Sequence, residues 1–307
     1  MTHRCRFCAA ELTYSFCDLG MSPLSNAFLR ADQLDCVEPY YPLHARVCGR
    51  CFLVQLPEFE SPEHIFSEYA YFSSFSDTWL KHARDYVERV VPRLGLGPQS
   101  QVIEIASNDG YLLRYFKERT VPVLGIEPAA NVARAAEAAG IPTLVRFFGA
   151  ALARELAGQG TQADLLLGNN VLAHVPDLND FVAGLKLALK PTGVITMEFP
   201  HLARLVDECQ FDTIYHEHFS YFSLATVDKV FRHHGLRLFD VEELPTHGGS
   251  LRIYARHDDD TTRPVSQRAR RLREREIAAG VATLPYYQAF DGRVKAAKRK
   301  LLGEGAW

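Results

Sequence analysis

Short apolar runs alternate with amphipathic stretches through the middle of the chain. Residues 101–106 (QVIEIA), 123–127 (VLGIE), 164–168 (DLLLG) and 193–198 (GVITME) are compact apolar segments of strand length, and they predict strands. Residues 111–119, the alanine-rich 131–139 and 178–189 lie between them and predict helices. Strand and helix in regular alternation imply a parallel sheet with helices on both faces. Such a sheet binds its ligand beyond the carboxyl ends of its strands. A glycine-rich turn, His247-Gly248-Gly249-Ser250, leads into a further strand over 251–255, and charged helices are expected over 265–279 and 286–302. The turn reads either as a hairpin connection or as a set of backbone N–H groups for a substrate phosphate, with Arg252 nearby.

The first sixty or so residues lack this alternation and are rich in proline and polar loops, too little for a core of their own. They hold two CxxC pairs, Cys5/Cys8 and Cys48/Cys51. A CxxC turn aims two thiolates at one ion, and two turns complete a closed tetrahedral zinc site. Zinc would then supply the folding energy that the segment lacks. His44 is close enough in sequence to stand in as a ligand. Cys17, Cys36 and Cys209 have no partner at ligand spacing and read as ordinary thiols.

Composition narrows the function. The 307 residues are 47% hydrophobic and 23% charged, as in a soluble protein of two or three domains. A net charge of −3 argues against a nucleic-acid partner. The basic run from Arg268 to Arg275 is interrupted by Glu274 and reads as a solvated helix face. No apolar segment approaches membrane-spanning length and no secretory signal is evident, so no membrane partner and a cytoplasmic location are expected.

The first turn of the alternating region is Ser107-Asn108-Asp109-Gly110, not GxGxxG, so a dinucleotide phosphate cradle is not supported. Glu104 lies inside the preceding strand and Glu127 ends the next one. A carboxylate at that position can accept from both hydroxyls of a ribose, and the glycine lets backbone approach a ligand closely. S-adenosylmethionine carries a ribose and no phosphate, and it fits this pattern. Its expected contacts are Ala106, Ser107, Asn108, Asp109, Gly110 and Glu127, with Asn169 and Asn170 after the 164–168 strand.

Segments along nearly the whole chain, in order, resemble the sugar C-methyltransferases that act on nucleotide-linked deoxysugars in antibiotic biosynthesis. They are the two CxxC pairs, Leu19 to Asn26, Tyr69 to Ser74, Glu104 to Gly110, Gly125 to Pro128, Gly168 to Val175, Tyr215 to His218 and Thr246 to Arg252. The resemblance implies a zinc-binding domain (1–66), a Rossmann-like, S-adenosylmethionine-dependent methyltransferase core (67–255) and the start of a truncated C-terminal domain (256–307). It implies transfer of a methyl to C3, beside the ketone, of a dTDP-linked 4-keto-6-deoxysugar. It also implies His218 as the base and Tyr69 as an active-site tyrosine.

Carbon methylation requires a base for the ring proton and donors for the enolate oxygen. Tyr215-His216-Glu217-His218 is the densest titratable cluster in the sequence. There Glu217 can orient the base or hold substrate, and Tyr215 can bond the sugar or the enolate. His174 falls at the carboxyl edge of the sheet. The spacing of His216 and His218 is not the helical HExxH of a zinc protease. Two other readings stand beside this one: methyl transfer to oxygen or nitrogen of a small molecule, which needs no carbon base, and a binding role without turnover.

Overall fold

The computed structural model describes residues 3–61 and 71–304, and two sheets organise them. The larger has seven strands in the order β10-β11-β8-β7-β4-β5-β6. Its strands are β4 (Val102–Ile105), β5 (Val123–Ile126), β6 (Thr143–Leu144), β7 (Ala163–Asn169), β8 (Leu189–Pro200), β10 (Leu236–Leu244) and β11 (Ser250–His257). β4 to β8 run parallel, and β11 is antiparallel to both of its neighbours. The central strands are buried on both faces, which is why they read as continuous apolar runs.

The helices are α1 (Asp77–Leu94), α2 (Leu113–Lys117), α3 (Ala130–Ala138), α4 (Ala150–Gly158), α5 (Leu178–Ala188), α6 (Leu202–Glu208), α7 (Leu224–His233), α8 (Gln267–Ala278) and α9 (Leu284–Glu304). Serine caps several of them: Ser76, Ser223 and Ser266 accept from the backbone of Trp79, Thr226 and Ala269 at the starts of α1, α7 and α8. α1 ends at Gly95, whose φ of 66° suits a residue without Cβ. Among the described residues no helix is long and apolar enough to cross a membrane.

The smaller sheet is antiparallel, in the order β1-β2-β3-β9: β1 (Tyr14–Ser22), β2 (Tyr41–Val47), β3 (Val54–Gln55) and β9 (Ser220–Tyr221). Three strands come from the N-terminal module, while β9 lies just after the Tyr215–His218 segment. The module is therefore stitched into the core. Cys5, Cys48, Cys51 and Leu53 share one buried cluster with Ile103, Met197 and Phe231 of the methyltransferase region.

The residues beyond β11 fold back onto earlier elements. Both Glu276 oxygens on α8 accept N–H groups at the start of α7, from Leu224 (2.7 Å) and Ala225 (2.8 Å), and His201 bonds the same carboxylate. On α9, Phe290 stacks on Phe16 of β1 at 4.6 Å. The basic run is more than a solvated face: Arg268, Arg273 and Arg275 pair with Asp240, Asp228 and Glu243.

Candidate active site

A cleft of about 1130 Å³ opens at the carboxyl ends of β4, β5, β7 and β8. At its floor Glu127 follows β5 and is buried. Its Oε2 accepts Asn108 N–H and its Oε1 accepts Ala129 N–H, each at 2.9 Å. Two backbone donors hold the carboxylate rigid while each oxygen keeps a lone pair for a ligand hydroxyl. Burial pushes the Glu127 carboxyl up, against the pull of those two N–H groups. Beneath it Glu104 is fully buried with neither oxygen hydrogen-bonded; burial, then Glu127 and Asp109, hold its pKa well above the carboxylate range.

Ala106, Asn108, Asn169 and Asn170 line the cleft with Glu127. Three of the loop residues sit in left-handed backbone: Ala106 (φ 55°), Asn108 (φ 50°) and Asn170 (φ 55°). Asn170 Oδ1 is buried without a hydrogen-bond partner, an acceptor suited to a ligand ammonium or hydroxyl. Glu127 and Asn170 thus fit the ribose and the amino-acid end of S-adenosylmethionine. Ser107, Asp109 and Gly110 do not line the cleft. Gly110 has a φ of 75°, and a Cβ there would lie 2.9 Å from Ile141 Cγ1, so the turn requires glycine.

The second wall is formed by residues 213–218. His218 Nδ1 is 3.2 Å from the Thr213 carbonyl and Nε2 is 2.8 Å from the Tyr215 hydroxyl. The carbonyl can only accept, so Nδ1 carries the proton and Nε2 receives the O–H of Tyr215. Burial, with help from His174, lowers the His218 pKa well below 6.5. His174 packs edge-on at 4.7 Å, its own pKa lowered by burial to about 4. Glu217 Oε1 accepts Asn26 Nδ2 (2.7 Å) and Ser25 Oγ (3.3 Å) from the N-terminal module. Tyr215, Glu217, His218 and His174 all line the cleft. His216 turns away, to the Pro42 carbonyl and the rings of Tyr41 and Phe59. Tyr69 lies outside the described residues.

Asn26, Trp79 and His82 are among the cleft residues outside the expected set. The Leu19–Asn26 motif marked Asn26 without giving it a role. Arg252 cannot serve a phosphate. It is fully buried between Glu198 and Glu242, at the centre of a paired row.

The four cysteine sulfurs of the CxxC pairs lie within 4.8 Å of one another. The two turns are built alike. Ala9 N–H bonds Cys5 O and Cys5 N–H bonds Ala10 O; Phe52 N–H bonds Cys48 O and Cys48 N–H bonds Leu53 O. Each turn ends in a left-handed residue, Ala9 (φ 57°) or Phe52 (φ 67°). Gln55 Nε2 donates to Cys5 Sγ and Arg50 N–H to Cys48 Sγ, the support a thiolate needs. This is a closed structural zinc site with four sulfur ligands. The described residues hold no other group of three or more His, Cys, Asp or Glu that could share an ion.

Known proteins match in the same three parts. Family models for a zinc-binding domain, a methyltransferase domain and a C-methyltransferase C-terminal domain cover residues 5–66, 79–241 and 245–304. The C-methyltransferase NovU of Streptomyces niveus is 34% identical over 303 residues, 97% of this chain and 71% of its own. Among solved structures, the PH0226 protein of Pyrococcus horikoshii superposes with a TM-score of 0.50 at 14% identity, over 65% of this chain and 99% of its own, a likeness of fold. Because three domain models follow one another along the chain and one relative matches almost all of it, the chain belongs to the sugar C-methyltransferase family, S-adenosylmethionine-dependent enzymes with a zinc-binding N-terminal domain.

Proposed function

We propose that this enzyme methylates C3, the carbon beside the ketone, of a dTDP-linked 4-keto-6-deoxysugar in antibiotic biosynthesis. The observation that carries the reading is the Tyr215–His218 pair in the cleft that also holds Glu127. A ring carbon cannot attack the methyl until a base has taken its C–H proton, and a buried histidine with a lowered pKa supports that step. S-adenosylmethionine supplies the electrophilic methyl. Glu127 receives its ribose hydroxyls and Asn170 its amino-acid end. His218 removes the ring proton, directly or through Tyr215. Glu217, steadied by Asn26 and Ser25, holds a sugar hydroxyl.

Incubation with dTDP-4-keto-6-deoxysugars and S-adenosylmethionine, read by mass, should show gain of one methyl. In D2O without S-adenosylmethionine the α-hydrogen should exchange. Methyl gain without such exchange would assign the acceptor to oxygen or nitrogen instead.

Two predictions arise here. Glu127→Ala removes a charged acceptor of two hydrogen bonds, so S-adenosylmethionine should bind roughly 100-fold more weakly, about 2–3 kcal/mol, by calorimetric titration. The second concerns pH. A base works only when unprotonated, and His218 has its pKa lowered. The acid limb of kcat/KM should therefore lie below pH 6.5, with a flat rate from neutrality down to that point. A limb centred above pH 6.5 would exclude His218 as the base.

A further inference from the structure

The Ser107–Gly110 turn places an asparagine where the backbone is left-handed. Asn108 has φ 50°, a region that glycine enters freely and most other residues enter at a cost. Asparagine tolerates it, and here both polar atoms of the side chain are used. Oδ1 accepts the Ser73 N–H at 2.9 Å, and Nδ2 donates to the Tyr71 carbonyl at 3.1 Å. The side-chain amide thus satisfies residues 71–73 as a neighbouring strand would. Beside it Asp109 Oδ2 accepts the Ser74 N–H at 3.1 Å. The backbone N–H of Asn108 meanwhile holds Glu127 Oε2 at 2.9 Å. Asn108 and Ser73 are both buried.

The segment held in this way is one turn of 3-10 helix, Ser73–Phe75, ahead of α1. Its internal bonds are local, from Phe75 N–H to the Phe72 carbonyl and from Ser76 N–H to the Ser73 carbonyl. The Phe72 and Phe75 rings stack at 5.3 Å, but Phe75 is 80% exposed, so packing does little to fix the turn. Among the described residues, the hydrogen bonds of residues 71–76 beyond α1 go to Asn108 and Asp109 alone. Tyr71, Ser73 and Ser76 line the cleft together with Asn108 and Glu127. One residue therefore joins the carboxylate at the floor, through its backbone, to this wall, through its side chain.

We propose that Asn108 is a positioning residue: its amide clasps residues 71–74 as the wall over the cofactor end of the cleft, and this clasp sets how fast the cofactor leaves. The proposal rests on the assignment of the ribose to Glu127. The wall presents a carbonyl and an N–H two residues apart, and an amide answers both. A carboxylate there would set an oxygen against the Tyr71 carbonyl. A ligand that bonds Glu127 and touches the wall bridges the same two parts that Asn108 joins. Clasp and ligand then stabilise each other reciprocally. The Asn108 side chain serves the cofactor through the wall, not by contact.

The test reads the dissociation rate of S-adenosylhomocysteine by stopped-flow displacement. Asn108→Gly keeps the left-handed turn and the N–H on Glu127 and removes the clasp, so dissociation should be about tenfold faster. Ser73→Pro removes the clasped N–H from the other side. Phe72 is already extended (φ −98°, ψ 117°), as a residue before proline must be, and Ser73 opens the turn, where proline fits. Set against Ser73→Ala, which keeps the N–H, Ser73→Pro should speed dissociation about fivefold. In the Asn108→Gly background the same comparison should show no difference. In wild type, bound S-adenosylhomocysteine should slow hydrogen exchange at the Ser73 and Ser74 amides. Additive effects of Asn108→Gly and Ser73→Pro overturn the clasp. So does an Asn108→Gly protein that melts lower but releases the ligand within about twofold of the wild-type rate, since Asn108 then serves the fold alone. Exchange at Ser73 and Ser74 that ignores the ligand in wild type overturns it too, whether or not the variants fold. Cofactor affinity untouched by Glu127→Ala is a separate result: it removes the ribose assignment, and this proposal with it.

Discussion

His218→Gln should lower both methyl transfer and α-hydrogen exchange by about 10²–10⁴-fold, while S-adenosylmethionine still binds. The glutamine amide can still donate to the Thr213 carbonyl, as Nδ1–H does at 3.2 Å, so the local fold is kept. It offers no basic lone pair where Nε2 now receives the Tyr215 hydroxyl at 2.8 Å. Cofactor affinity is the control, because Glu127 is held by the backbone N–H groups of Asn108, after β4, and Ala129, before α3, and not by this loop. Tyr215→Phe separates two routes. If Tyr215 relays the proton, its loss costs about as much as the loss of His218, and the double variant is no worse than either single one. If Tyr215 only caps the resting base, Tyr215→Phe retains most of the exchange. Exchange in His218→Gln at the wild-type rate would show that the proton goes elsewhere.

The parts of this site that were legible in sequence are those whose partners are near in sequence or fixed by spacing. Strands β4, β7 and β8 announce themselves because their central residues are buried on both faces, and the CxxC pairs because sulfur spacing dictates tetrahedral ligation. Helix α1 does not stand out, since only Ala83, Tyr86, Val87 and Val90 are buried among many charges. Its His82 gains meaning from Glu198, 116 positions away. Asn26 meets Glu217 across 191 positions, and β9 is a two-residue strand whose partner lies in the N-terminal module. Arg252 reads as a phosphate ligand beside a glycine turn, yet cross-strand register places it between two carboxylates. No local pattern encodes register across strands so far apart in sequence.

Those same long-range contacts make zinc matter for catalysis. Cys48→Ser, or prolonged chelation, should lower stability on the order of 5 kcal/mol and strongly reduce methyl transfer. Isolated zinc fingers owe about 10–16 kcal/mol to the metal. Here the loss should be smaller, because β3–β9 pairing, α9 stacking on β1 and Arg6 N–H bonded to Gln55 also hold the module. The path to the site is short. Gln55 donates to Cys5 Sγ and pairs with Ser220, two residues beyond His218. Leu56 N–H bonds the Phe219 carbonyl, and Asn26 of the same module steadies Glu217. Four thiols without an ion repack, β3 shifts, and the base moves with β9. A displacement near 1 Å is enough to cost about 100-fold in rate. The cofactor carboxylate sits on the other sheet, so S-adenosylmethionine affinity should stay within about threefold of wild type. Cys36→Ser should change neither metal content nor rate, since Cys36 is exposed and outside the cluster. The measurements are metal content, thermal melting, cofactor titration and exchange in D2O. A zinc-free Cys48→Ser protein that melted and exchanged like wild type would show that the module is joined to the site in space alone.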